Sequence, residues 1–192
     1  NYSDEIIAKV RNAAKANVQA ACVTQDKKPP TIIESSRGFS YRAGHIVAIG
    51  ASTGGTEAIR EVLVQMPPVT PPIVITQHIP AAFSTSFAQR LDRECAIHVF
   101  EASQGQELKG GCAYIAPGDR HLRIRRKGGV LCCALDSGEP VNRHRPAVDV
   151  LFESVLTVAK NNATGVLLTG MGADGARGLL ALREAGCITI AQ

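Results

Sequence analysis

Short runs of branched apolar residues, each closed by a turn and followed by a helical period, recur from Gly44 onward. The first is His45-Ile46-Val47-Ala48-Ile49, with a helical stretch from Gly54 to Gln65 behind it. Pro72-Ile73-Val74-Ile75-Thr76 follows, with a helical stretch from Ala82 to Arg93. Gly165 to Thr169 precedes a helical stretch from Gly175 to Ala185, and Cys187 to Ala191 is the last run. A strand that is apolar on both faces must be covered on both faces, and the intervening helices are what cover it. The alternation therefore predicts an α/β fold with a doubly wound, mostly parallel, Rossmann-like sheet. Aromatic residues are only 4% and Trp is absent, so Val, Ile, Leu and Ala must build the core, which suits such a sheet.

The rest of the pattern fills in around that sheet. Ile97 to Phe100 and Cys112 to Ala116 are further strands. His121 to Arg125 alternates, Gly128-Gly129 turns, and Val130 to Leu135 returns, which predicts an antiparallel β-hairpin at one end. Ala147 to Lys160 places Val148, Leu151, Phe152, Val155 and Leu156 on one helical face. Ahead of Gly44, residues 4–21 have helical spacing, and Thr24 to Arg42 is rich in Lys, Pro, Ser and Gly without a period. The expected organisation is a helix and linker over 1–43 and one folded domain over 44–192.

Several function classes are disfavoured. The net charge is +4, but no block of five or six like charges occurs, so nucleic acid is not an expected partner. A mild positive field suits an acidic protein surface better. The six cysteines, Cys22, Cys95, Cys112, Cys132, Cys133 and Cys187, form no C-x-x-C pair and sit partly in apolar runs, consistent with reduced thiols and a cytoplasmic setting. No secretory signal and no apolar stretch near ~20 residues predicts membrane insertion. His98, His121 and His144 are not gathered by an H-x-x-x-H or cysteine pair, so neither a metal nor a cofactor is expected.

In a doubly wound sheet, chemistry gathers beyond the carboxyl ends of the strands. Gly50-Ala51-Ser52-Thr53-Gly54 fits G-x-S-x-G, which lets a serine sit on a sharp strand-to-helix turn. Ser52 reads equally as a nucleophile, a helix N-cap or part of a phosphate cradle. A dinucleotide site wants glycine where Ser52 stands and an acidic residue closing the second strand, which instead ends Thr76-Gln77. His78, next along, is a general base or a satisfied polar residue at a strand end. Asp174, in Gly170-Met171-Gly172-Ala173-Asp174-Gly175, is a helix N-cap or the group that orients the histidine. A serine, a histidine and an aspartate at three strand ends that share one sheet edge make a triad the better reading.

The chain also resembles the catalytic domains of the protein-glutamate methylesterases of bacterial chemotaxis. The likeness runs from about Gly44 to Gln192. Ala51-Ser52-Thr53-Gly54-Gly55, Gln77-His78-Ile79-Pro80, Tyr114 to His121, Val141 to Pro146, Thr169 to Gly175 and Thr189-Ile190-Ala191-Gln192 carry it, six motifs in order. The resemblance implies that Ser52 attacks a glutamyl methyl ester on the cytoplasmic helices of methyl-accepting chemoreceptors. His78 then acts as base and Asp174 orients it, and the same acyl-enzyme deamidates glutamines. Oxyanion donors are expected in the Gly170–Gly172 turn, Met171 foremost, and just after His78. Thr53 either bonds His78 or the substrate or opens the helix, and Asn142 to Pro146 forms a receptor-facing rim or an ordinary loop. Family members usually carry a receiver domain before the linker, of which residues 1–43 would hold only the tail, and usually continue past the last strand. A docking module of the same fold without catalysis is the alternative.

Overall fold

The computed structural model describes residues 41–192. The helix expected at 4–21 and nearly all of the linker lie outside the described residues. Eight strands and four helices follow, β1(Ile46–Ala51), α1(Gly55–Leu63), β2(Ile73–Gln77), α2(Ala81–Glu94), β3(His98–Glu101), β4(Cys112–Ile115), β5(His121–Lys127), β6(Val130–Asp136), α3(Val148–Ala159), β7(Ala163–Leu167), α4(Ala176–Glu184) and β8(Ile188–Ala191). Six strands form one sheet in the order β3-β4-β2-β1-β7-β8, and every pairing in it is parallel. β1 is the switch point: the chain leaves it toward β2 on one side, and β7 fills the other.

The period-two alternation of the strands sorts their side chains into two cores, one on each face of the sheet. Ile46, Ala48, Val74 and Tyr114 join Leu151, Phe152 and Val155 of α3 on one face. Ile49, Ile73, Ile75 and Ile115 join Ile59 and Leu63 of α1 and Leu91 of α2 on the other. Burying both faces of β1 and β2 is why these strands read as unbroken apolar runs.

The seventh strand starts two residues earlier than expected, at Ala163, which pairs with Ile46 at the start of β1. The expected antiparallel β5–β6 hairpin is present as its own two-stranded sheet. Its β6 strand bonds the segment before β4, with Leu108 N–H donating to Leu131 O and Cys133 N–H to Gln106 O. Leu122 and Ile124 turn inward onto the α3 core, and the arginines face out, which fixes the hairpin over that helix. The five described cysteines are all free thiols. No helix among the described residues is long and apolar enough to cross a membrane.

Candidate active site

Ser52 follows β1, His78 follows β2, and Asp174 lies in the turn between β7 and α4. β1 and β2 end in register, Ala51 opposite Gln77, so the serine and histidine leave neighbouring strands at the same height. Thr169 O accepts from Ser52 N–H at 3.0 Å and draws the third turn against the first. A Cβ on Gly170 would lie 2.8 Å from the Ser52 Cβ, so the 170–172 turn packs directly on the serine. Gly54 takes φ 76 at the N-cap of α1, the left-handed conformation that the sharp turn requires.

The three side chains form one hydrogen-bonded line. Ser52 Oγ lies 2.9 Å from His78 Nδ1, and His78 Nε2 lies 2.8 Å from Asp174 Oδ2. A carboxylate only accepts, so the histidine proton sits on Nε2 and the Nδ1 lone pair accepts the serine hydroxyl. Rotating the ring by half a turn would put carbon atoms at both contacts, so the geometry selects a single orientation.

Asp174 collects four donors. Oδ2 accepts from His78 and from Val148 N–H at 2.7 Å. Oδ1 accepts from Asn142 Nδ2 at 2.8 Å and from Asp149 N–H at 3.2 Å. Val148 and Asp149 open α3, so the carboxylate sits on the positive end of that helix. Asp174 does not cap the helix that follows it: the N-cap of α4 is Gly175, with no side-chain cap. Burial works against its charge, but the bonds from His78, Asn142, Val148 and Asp149 outweigh it and bring the pKa down to about 2. α3 reaches this position because two glycines leave room. A Cβ on Gly50 would lie 2.2 Å from Val148 Cγ1, and one on Gly175 would lie 2.6 Å from it.

Two residues that the sequence showed only as rim or as a stray ligand take part. Val141 and His144 pair across a tight turn, and Asn142 (φ 53) and Arg143 (φ 68) occupy its left-handed positions. Asn142 tolerates that conformation, and its one amide group donates to both Asp174 and Asp149. His144 stacks on His78, ring centroids 3.6 Å apart and planes 10° apart. Burial and the nearby His78 both hold the His144 pKa below its ordinary value. An Asn-Arg pair flanked by Val141 and His144 is a turn signal, but nothing in it says where the turn lands.

A cleft of about 410 Å³ opens beside Ser52 and His78 and is lined by Gly170, Met171, Gly172 and Asp174. Met171 is 81% exposed, so its side chain stands at the mouth. Thr53 is exposed and precedes the N-cap of α1, so it is not the first helical residue, and its hydroxyl makes no hydrogen bond among the described residues. The main-chain amides of Thr53, Gly170 and Met171 also have no partner among the described residues. His98 lies exposed on edge strand β3, whereas His121 is buried and fully used, accepting from Ala147 N–H and donating to Glu139 O. Among the described residues no group of three or more His, Cys, Asp or Glu side chains is arranged to hold a metal.

The chain is similar to known proteins in sequence and fold. The family model for the CheB methylesterase matches residues 47–192. The chain is 53% identical over 191 residues to protein-glutamate methylesterase/protein-glutamine glutaminase 2 of Saccharophagus degradans, covering all of this chain and 55% of that protein. It is 50% identical over 193 residues to the protein of the same description from Bordetella avium, covering all of this chain and 54% of that one. The chain thus spans about half the length of these relatives. The crystal structure of the Thermotoga maritima CheB methylesterase catalytic domain matches with a TM-score of 0.75 and 40% identity, over 78% of this chain and 80% of that one. With the family model matching most of its length and the fold shared with a solved member, the chain belongs to the CheB methylesterase family.

Proposed function

We propose that this domain hydrolyses glutamyl methyl esters, and deamidates glutamines, on the cytoplasmic helices of methyl-accepting chemoreceptors. Ser52, His78 and Asp174 carry the reaction. The observation behind this reading is the unbroken line from Ser52 Oγ through His78 to Asp174 at the mouth of an open cleft. A docking module has no need of a serine hydroxyl aimed at a histidine lone pair.

Ser52 Oγ attacks the ester carbonyl while His78 Nδ1 takes its proton, and Asp174 stabilises the imidazolium that forms. The tetrahedral oxyanion is held by main-chain amides; those of Thr53, Gly170 and Met171 border the serine and are free to donate among the described residues. Collapse breaks the bond to methoxide, which leaves as methanol with the proton from His78. Water then attacks the acyl-serine, His78 takes its proton and returns it to Ser52, and glutamate is released. With a glutamine side chain, ammonia takes the place of methanol. No cofactor is needed for either step.

We place the protein in the cytoplasm, where those receptor helices lie, and read residues 1–43 as the tail of a receiver domain with its linker and 44–192 as the catalytic domain. The relatives' names, methylesterase and glutaminase, support both activities. Methanol release from methylated receptor membranes tests the proposal, with Ser52→Ala beside the unaltered chain. The expected loss is at least ~10³-fold, because what survives removal of a triad nucleophile is binding and oxyanion stabilisation alone. Equal release by both proteins would make Ser52 a turn residue and end this reading.

A further inference from the structure

The last rung between β1 and β2 is Ala51 opposite Gln77. Beyond it the two chains part: Ser52 turns into α1, and His78 runs on toward Pro80. Among the described residues a single main-chain bond between the two strands continues past the rung, His78 N–H to Ala51 O at 3.2 Å. The Gln77 side chain spans this opening. It is 4% exposed, and its Nε2 donates to Ser52 O at 2.9 Å and to His78 O at 3.1 Å. One amide group thus ties the carbonyl of the serine residue to that of the histidine residue. Only an N–H group can face two carbonyl oxygens, so the orientation of the carboxamide is fixed by its surroundings.

The other end of the carboxamide makes the role specific. Gln77 Oε1 is buried with no donor among the described residues. A buried acceptor without a donor is a cost that an apolar side chain of similar volume would avoid. Space is also kept for it: a Cβ on Gly55 would lie 2.1 Å from Gln77 Oε1, as well as 2.6 Å from the Ala51 Cβ. Gly55 N–H in turn donates to Ser52 O at 2.8 Å, so glycine and glutamine hold the same carbonyl from two sides.

We propose that Gln77 is a positioning residue for the Ser52–His78 pair, with Gly55 as the clearance that lets its carboxamide reach both main chains. The proposal rests on Ser52 acting as the nucleophile. Gln77 touches neither substrate nor reacting atoms; it sets the separation and angle at which Ser52 Oγ meets His78 Nδ1. Misplacement of reacting groups by about 1 Å costs on the order of 10²-fold in rate.

The test measures kcat and KM for ester hydrolysis, and the rate of Ser52 labelling by a fluorophosphonate, in Gln77→Met, Gly55→Ala and the double variant. Thermal melting runs alongside. The expected result is a fall of about 10- to 100-fold in kcat and in labelling rate per folded molecule, with KM within about twofold. Gly55→Ala should cause a fall at least as large, because its methyl displaces the Gln77 carboxamide and also meets Ala51 Cβ. The double variant should lose less than the product of the two single losses, since both act on the same carboxamide. A folded Gln77→Met with unaltered kcat and labelling overturns the proposal, as does a loss that tracks only the unfolded fraction. Should Gln77→Met not fold, the isosteric Gln77→Glu decides by the same readouts: a carboxylate facing two carbonyls must slow labelling, and an unaltered rate overturns the idea. If the unaltered chain labels no faster than Ser52→Ala, the Ser52 mechanism itself fails and this inference falls with it.

Discussion

The imidazole of His144 lies flat against that of His78, with 3.6 Å between ring centroids. In the proposed mechanism His78 becomes an imidazolium each time it takes the serine proton, so the face that His144 covers is one on which positive charge would develop. A neutral ring there excludes water and offers its π face to the cation, whereas a second positive charge would oppose it. The lowered His144 pKa keeps that ring neutral near pH 7.

His144→Phe should therefore keep kcat within about threefold, because the stacked face is retained. His144→Arg should lower kcat at least ~10-fold, since a fixed charge beside the forming imidazolium costs on the order of 1.4 kcal/mol or more. Steady-state ester hydrolysis by the two variants checks this; equal rates would mean that the stack is only packing.

Asn142 bridges two carboxylates, Asp149 and Asp174, with one amide. Asn142→Gly keeps the positive φ of 53° but removes both donors. The loss leaves the carboxylates facing one another without a shared donor. Stability should fall by about 1–3 kcal/mol and kcat by about tenfold, read from urea unfolding and turnover.

Acid should destabilise the domain in two stages. His144 has a folded pKa below its ordinary 6.5, so the unfolded chain takes up its proton first, and stability falls as pH drops below about 6.5. Asp174 has an ordinary pKa of 3.8 and a folded pKa of about 2, so its share is present above pH 3.8 and is lost between those values. Unfolding free energy measured against pH should show both, and His144→Phe should remove the first stage alone.

Gly50→Ala should separate the helix from the site. The new methyl would meet Val148 Cγ1 at 2.2 Å and push the start of α3 off Asp174, which loses its two amide donors. Stability should fall by about 1–3 kcal/mol, the usual cost of overpacking, and the second acid stage should shrink and end at a higher pH, because the folded carboxylate is less well held while its unfolded pKa is unchanged. Denaturant unfolding as a function of pH reports both.

Periodicity alone made the sheet legible. Apolar runs too continuous for a one-sided strand, alternating with helical stretches, leave a covered parallel sheet as the way to bury them, and the strand ends then point to Ser52, His78 and Asp174. Every expected element within 44–192 is present, with boundaries shifted by a residue or two. The hairpin was legible as a pair, but its separation from the main sheet was not, because its bonds to the Gln106–Leu108 segment are long-range.

What the sequence determined by itself is the order of strands and helices and which residues stand at their ends, since both follow from local periods of two and 3.6 residues. Tertiary structure alone decided what those residues contact. Asp174 read equally as the cap of its own helix, and it became the acceptor at the N-terminus of a different one, 26 residues earlier. His144 and Gln77 gained their contacts to His78 and Ser52 through a turn and a strand register that no local pattern specifies. Hydrogen bonds and ring stacking act over a few ångströms in space, and the chain distances they close are set only when the whole sheet is assembled.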